Sequence, residues 1–310
     1  MGDDAKYPIE QQIEAKRRGS LVRQRRAYVC WVLTGVMTGL LVYELVFNAK
    51  AQGTPFSMKP FVNPLLGPSQ AALIEIGARY APCMKHIEEV PSTLQMGCPS
   101  NTANPPTELC TIEQLCAHGG FNGGDPNQWW RFISPVFLHA GLVHLLVNMF
   151  VQSTISAQVE REVGSLGFIL IYFAAGIFGN VLGGNFALVG LPSVGASGAL
   201  FGTIATMWVD LIAHWRFEHR PKTKLAMLTV ELALGIGLGF LPGTDNFAHL
   251  GGMCLGLLTS VAVYPMITET KTRATIVLAF RATAIALAVV LYVVLIRNFY
   301  TGNPAQGEAQ

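Results

Sequence analysis

Residues 195–202 read Gly-Ala-Ser-Gly-Ala-Leu-Phe-Gly and residues 246–256 read Asn-Phe-Ala-His-Leu-Gly-Gly-Met-Cys-Leu-Gly, and each stretch heads an apolar run. A candidate nucleophile, Ser197, and a candidate base, His249, therefore stand at the heads of two runs of membrane-spanning character. Each run carries glycine at four-residue spacing, Gly198 and Gly202 in the first, Gly252 and Gly256 in the second. Small residues four apart share a helix face and let two backbones approach closely. Such an approach brings one serine and one histidine within hydrogen-bond reach.

The surrounding composition supports spans rather than a soluble core. The chain has 310 residues, 51% hydrophobic and 13% charged, where soluble domains carry about 25% charged residues. This balance excludes an ordinary soluble domain and indicates an all-α polytopic membrane protein. Crossing a hydrocarbon core of about 30 Å takes about 20 apolar helical residues. Windows of that kind fall at 27–47, 133–157, 166–186, 197–213, 225–241, 247–266 and 275–297, so seven spans are expected. Gly190-Leu191-Pro192 and Pro242-Gly243-Thr244 mark tight connections.

Lys and Arg set the expected orientation. The N-terminal tail carries Lys6, Lys16, Arg17, Arg18, Arg23, Arg25 and Arg26; Arg216, Arg220, Lys222 and Lys224 lie between spans four and five; Lys271 and Arg273 lie between spans six and seven. The turns at 187–196 and 242–246 hold neither residue type. The basic side is expected to be cytosolic, with Ser197 and His249 at the opposite ends of their spans. The basic tail is explained by topology, without nucleic acid or a specific lipid. The first span is too long for a signal h-region and lacks a clear cleavage site, so it is expected to stay as an anchor.

The polar segment 48–132 then lies outside the cytosol and holds Cys83, Cys98, Cys110 and Cys116. An even count in an oxidising compartment points to one or two disulfides, with three complete connectivities open. Zinc is disfavoured, since there is no Cys-x-x-Cys pair and His86 and His118 are loosely spaced from the cysteines. Cys30 and Cys254 sit in apolar runs and read as packing residues. No Asn-x-Ser/Thr sequon occurs.

The second span brings Trp129-Trp130-Arg131-Phe132, then His139, His144 and Asn148. His144 and Asn148, four apart, stack on one helix face. Polar groups inside a bilayer need partners, and alone these two read as interhelical glue worth about 0.6–2 kcal/mol. Facing Ser197, they would be two donors aimed at one point, which is what a tetrahedral oxyanion requires.

With those clusters in hand, the chain resembles the rhomboid family of intramembrane serine proteases. The resemblance runs from Trp130 to Gly256: Trp130-Arg131 in the first loop, His139, His144 and Asn148 on the second span, Glu160 followed by Gly164-Ser165, Gly195-x-Ser197-Gly198 on the fourth, and Ala248-His249-x-x-Gly252-x-x-x-Gly256 on the sixth. It implies a six-helix bundle plus a C-terminal seventh span, with a Ser-His dyad in which Ser197 is nucleophile and His249 general base and acid. His144, Asn148 and the Ser197 backbone N–H form the implied oxyanion hole. Gly198, Gly202, Gly252 and Gly256 pack helices, and Trp130, Arg131 and Glu160 have structural roles. An aromatic at the position of Phe201 supports the imidazole in that family, while packing explains it equally well.

Asp245, four residues before His249, is either an orienting triad member or a helix N-cap after Pro242-Gly243, the cap being the commoner role. Glu44, Asp210 and Arg281 fall near span ends and read as snorkelling or interface residues, while Glu231 lies deeper, beside the expected cavity, where pairing with another helix and an influence on gating are both open.

The expected organisation is a basic cytosolic tail 1–26, a protease core 27–266 including the extracytosolic loop 48–132, and a seventh span with a short extracytosolic tail at 267–310. The extra C-terminal span resembles secretory-pathway members, and the tail acids Asp3, Asp4, Glu10 and Glu14 argue against a mitochondrial transit peptide. The expected activity is endoproteolysis in or near the transmembrane segment of single-span membrane proteins, with the lipid bilayer as surroundings, and without metal, organic cofactor or nucleic acid.

Overall fold

The computed structural model describes residues 9–17, 24–121, 123–240 and 244–302. Lys6, Arg18 and Arg23 of the basic tail and the Pro242-Gly243 turn lie outside the described residues. A short helix, α1 (Ile9–Arg17), precedes the first long apolar helix, α2 (Tyr28–Gln52). The connection that follows contains α3 (Gln70–Ile76), an antiparallel hairpin of β1 (Gln95–Gly97) and β2 (Leu109–Thr111), and α4 (Ile112–Cys116). Then come α5 (Leu142–Val151), a π-helical segment Gln152–Ser156 and α6 (Ala157–Val163), which together make one long helix. The chain continues with α7 (Ser165–Phe186), α8 (Ser197–Ala213), α9 (Pro221–Leu238), α10 (Asn246–Val263) and α11 (Lys271–Thr301).

Among the described residues, five helices, α2, the α5–α6 unit, α7, α10 and α11, are long and apolar enough to cross a membrane. The protein is an integral, multi-pass membrane protein of all-α architecture. Two expected spans differ from these five. α8 has only 17 residues, yet it is the helix most enclosed by its neighbours, so little of it needs to meet lipid. α9 carries Lys222, Lys224 and Glu231, which lower its apolar character.

The second span begins at Leu142, not near 133. Residues 134–136 form a 3-10 turn around Pro135, and Gly141 is extended with φ +156°. The first free N–H groups of α5 find carbonyls in the preceding loop: Leu142 N donates to Leu66 O at 3.0 Å and Val143 N to Leu65 O at 3.1 Å. Asn63 Nδ2 donates to Ala140 O at 2.8 Å. The loop therefore caps this helix, and a Cβ on Gly67 or Gly141 would collide with the opposing backbone.

The segment between α2 and α5 is an ordered structure with its own small core of Ile74, Tyr80, Ile112 and Leu115. Disulfides Cys83–Cys116 and Cys98–Cys110 staple it, one of the three connectivities left open by the sequence. Arg131 holds it to the bundle. Its guanidinium is fully buried and donates to Ile74 O at 2.7 Å, Ala78 O at 2.8 Å, Cys116 O at 2.8 Å and Gln128 Oε1 at 2.6 Å, and it lies over the Trp130 ring. Burial pulls its pKa down to about 9, still on the charged side at neutral pH.

Glu160 ties the α5–α6 unit to the start of α2. Its carboxylate accepts from Val29 N and Cys30 N, both at 2.9 Å, and from Ser165 Oγ at 2.7 Å. The N-cap residue of α2, Ala27, has no side-chain acceptor, so Glu160 caps that helix from another part of the chain.

Two residues expected to snorkel are instead fully buried. Asp210, on the last turns of α8, receives Lys16 Nζ of α1, Lys224 Nζ of α9 at 2.7 Å, His214 Nδ1 at 2.9 Å and Tyr264 Oη at 2.7 Å. Glu44 accepts the backbone N–H of His139 at 3.2 Å. Asp210 is inward because partners wait there, which position along a span does not reveal; Glu44 has the one bond, and its Oε2 has no partner among the described residues. Arg281 of α11 donates to Tyr264 O at 2.8 Å and joins the last helix to the bundle.

Candidate active site

α8 and α10 cross at their glycines. A Cβ on Gly252 would overlap the Gly198 carbonyl oxygen, one on Gly256 would overlap Gly202 Cα, and one on Gly202 would overlap the Ala175 side chain of α7. Backbones this close bring the N-terminal ends of both helices together. Ser197 Oγ and His249 Nε2 lie 2.8 Å apart.

The imidazole is held by its face. Phe201, one turn below Ser197, stacks on His249 with centroids 4.5 Å apart and planes 11° from parallel. Gly235 of α9 and Gly239, the residue that caps its C-terminus, close the other approaches: a Cβ on Gly235 would stand 2.7 Å from Phe201 Cζ, and one on Gly239 would stand 2.9 Å from His249 Nδ1. These two glycines were missed in the sequence, although Gly235-Ile-Gly-Leu-Gly239 repeats the four-residue spacing used to find the others.

Asp245 does not orient the base. Its Oδ1 accepts from Phe247 N at 2.9 Å as the N-cap of α10, and its Oδ2 lies 2.6 Å from Arg79 NH1. His249 Nδ1 has no hydrogen-bond partner among the described residues.

His144 and Asn148 face the same cavity as Ser197 and His249. His144 Nδ1 accepts from Ala140 N at 3.3 Å. In a neutral ring with Nδ1 accepting, the proton resides on Nε2, so the other nitrogen is a donor. Asn148 Nδ2 donates one hydrogen to His144 O at 2.9 Å and keeps a second. Gly195, at φ +133°, fits between them: a Cβ there would stand 2.8 Å from His144 Cε1 and 3.6 Å from Ser197 Oγ. Glycine is required by both backbone and space. His139 precedes α5 instead of lying on it, buried against Glu44 and edge-on to the His144 ring at 5.4 Å.

Ser197 is the first residue of α8, so its N–H has no partner within the helix. The cavity beneath it has a volume of about 490 Å³ and runs down between α5 and α9. Its walls are largely aliphatic, among them Val143, Val147, Leu234 and Leu238. Trp130, Arg131 and Glu160 stand apart from it, in the loop anchor and the α2 cap already described.

Residues 126–266 match the family described as the rhomboid domain. The chain belongs to the rhomboid family. It is 39% identical over 267 residues to Rhomboid-type serine protease 2 of Emericella nidulans, covering 82% of this chain and 53% of that protein. It is 39% identical over 132 residues to RHOMBOID-like protein 4 of Arabidopsis thaliana, covering 43% of this chain and 33% of the relative. Inactive rhomboid protein 1 of Danio rerio is 36% identical over 142 residues, 46% of this chain and 16% of that one. The chain spans about half the length of the first of these relatives and less of the other two.

Proposed function

We propose that this protein is an intramembrane serine endopeptidase that hydrolyses a peptide bond in or near the transmembrane segment of another membrane protein. The observation that carries this reading is the 2.8 Å contact between Ser197 Oγ and His249 Nε2 at the head of an apolar groove.

A serine hydroxyl is a weak nucleophile until a base takes its proton, and a neutral imidazole does so near neutral pH. Ser197 Oγ attacks the scissile carbonyl as its proton passes to His249 Nε2. The resulting oxyanion takes hydrogen bonds from His144 Nε2–H, the second Asn148 amide hydrogen and the Ser197 N–H, each such donor being worth about 2.7–4 kcal/mol in related chemistry. His249 then gives its proton to the leaving amine, which departs and leaves an acyl-serine. Water, deprotonated by His249, attacks the ester, and the imidazolium returns that proton to Ser197 Oγ as the new carboxyl terminus is released. Phe201 and Gly239 keep the imidazole in plane with this path. A groove open between α5 and α9 admits a transmembrane segment from the side, and local unwinding exposes a carbonyl that a stable helix keeps hydrogen-bonded.

The same reading places the tail 1–26 in the cytosol, Ser197 and the disulfide-stapled loop on the extracytosolic side, the core over 27–266, and the protein in a secretory-pathway membrane. The positive flanks and the two disulfides support it. The similarity to a relative named as inactive in Danio rerio supports a second reading, a non-catalytic rhomboid-like protein that binds transmembrane helices for trafficking or degradation.

Cleavage of a model single-span protein in detergent, with wild type, Ser197→Ala and His249→Ala compared, tests the dyad. Both variants are expected to lose activity, and cleavage persisting in either overturns the assignment. Fluorophosphonate labelling that requires Ser197 is expected of the enzyme, and its absence from wild type would support the non-catalytic reading.

A further inference from the structure

We infer that Glu231 is a specificity determinant: it selects membrane segments that carry a hydrogen-bond-donating side chain on the membrane-embedded side of the scissile bond. This rests on the proposed function, in which the groove between α5 and α9 receives a substrate helix.

Glu231 is the one carboxylate among the described residues that line the groove holding Ser197 and His249. Most of the other wall residues are apolar, including Ile155, Ile204 and Leu234, and the hydroxyl of Thr154 donates to Phe150 O at 2.7 Å. An acceptor in such surroundings is costly unless a donor meets it. Its Oε2 is buried and has no hydrogen-bond partner among the described residues.

The obvious internal partners are already engaged. Glu231 also borders a second cavity, of about 290 Å³, which it shares with Lys16 and Lys224. Both ammonium groups are spent elsewhere. Lys224 Nζ lies 2.7 Å from Asp210 Oδ2 and 3.0 Å from Glu218 Oε2. Lys16 Nζ lies 2.5 Å from Asp210 Oδ2 and 3.5 Å from Glu218. Lys224 stands seven residues before Glu231 on the same helix, about 10 Å away along the axis. Gln158, which also lines the second cavity, donates to Glu162 Oε1 at 3.0 Å, and Glu231 Oε2 takes no hydrogen bond from it. On the proposed function, the donor for Glu231 is supplied by the occupant of the groove.

Geometry sets where that donor must be. Gly239 abuts the His249 ring, so the reacting carbonyl lies near the level of residue 239. Glu231 is eight residues deeper on α9, about 12 Å at 1.5 Å per residue. A helical guest covers that distance in about eight residues, an extended one in about four. The window for the donor is the fourth to the eighth residue beyond the scissile bond, toward the membrane interior. Lysine or glutamine there would meet the carboxylate, whereas glutamate would be repelled.

The test uses Ser197→Ala protein in detergent, so that binding is read without cleavage. Fluorescent transmembrane peptides identical except for Lys, Gln, Leu or Glu at the sixth position beyond the scissile bond are titrated, with parallel peptides substituted at the fourth and eighth. Lys and Gln are expected to bind about tenfold tighter than Leu at one or more of these positions, and Glu weaker. In Ser197→Ala/Glu231→Leu the preference should collapse to about onefold. Equal binding of Lys and Leu peptides at all three positions, or a preference unchanged by Glu231→Leu, overturns the proposal. Cleavage of the same peptides by Ser197-intact protein reports separately on the protease reading.

Discussion

Ser197 and His249 are positioned less by each other than by what surrounds them. The imidazole has one hydrogen bond, to Ser197, and one ring face on Phe201. Stacking of this kind contributes about 1 kcal/mol, so Phe201→Ala should lower kcat/KM roughly fivefold, while Phe201→Tyr keeps the ring and most of the rate. Steady-state cleavage assays on both variants check this, and an unchanged Phe201→Ala would reduce the residue to packing. Gly195 is held more strictly. Alanine there would combine a φ of +133° with a Cβ 2.8 Å from His144 Cε1. The His144 donor should be displaced, and loss of one oxyanion donor lowers kcat by about a hundredfold. A Gly195→Ala enzyme cleaving at the wild-type rate would remove His144 from the proposed oxyanion hole.

At the scale of the element, helix ends decide the arrangement. α2 starts without a cap of its own and borrows Glu160, which takes two of its free N–H groups. Glu160→Ala strands those donors, and stability should fall by about 1–2 kcal/mol, read as a lowered midpoint of thermal unfolding in detergent. α5 likewise borrows the Leu65 and Leu66 carbonyls' loop, so its N-terminus, and His144 with it, moves if that loop moves. The π-helical segment after α5 has a comparable effect. It turns Gln152 inward, where it donates to Thr34 Oγ1 at 2.9 Å and accepts from Tyr172 Oη at 2.6 Å, joining three helices through one amide.

Across the whole molecule, α8 links two polar centres through an apolar interior. One end presents Ser197 to the groove; the other holds Asp210 among Lys16, Lys224, His214 and Tyr264. Removing one member of such a buried charge cluster leaves the others uncompensated, a penalty of about 3–5 kcal/mol. Asp210→Ala should therefore unfold at markedly lower temperature than wild type, and a near-normal unfolding curve would mean that water reaches the cluster. The loop between α2 and α5 is stabilised by its disulfides according to the length of chain each closes. Cys83–Cys116 spans a separation of 33 residues and Cys98–Cys110 one of 12. Loss of the longer crosslink should cost more, within a range of about 2–4 kcal/mol, and comparing the unfolding midpoints of Cys83→Ser/Cys116→Ser and Cys98→Ser/Cys110→Ser tests the order.

The membrane class, the positions of most long helices and the candidate reacting residues were all legible in the chain. Apolar length, glycine spacing and the rarity of polar residues inside apolar runs are one-dimensional signals, and a bilayer makes them strong because it penalises every unpartnered polar group. The start of the second span was misplaced because its apolar run extends back through Pro135 and Gly141, and only the packed loop 63–67 shows why the helix waits until Leu142. Glu44 and Asp210 were misread because partnership depends on residues far away in sequence: Asp210 answers to Lys16, and Glu44 to His139. The disulfide pairing and the diversion of Asp245 to Arg79 were equally out of reach, whereas the choice between stacking and plain packing for Phe201 needed the ring geometry. The kind of chain this is, and which side chains are fit for chemistry, can be read from one dimension because both follow from local pattern and residue type. Which of them meet is a property of the folded chain, because a 2.8 Å contact between residues 52 apart depends on how closely two glycine-faced helices cross.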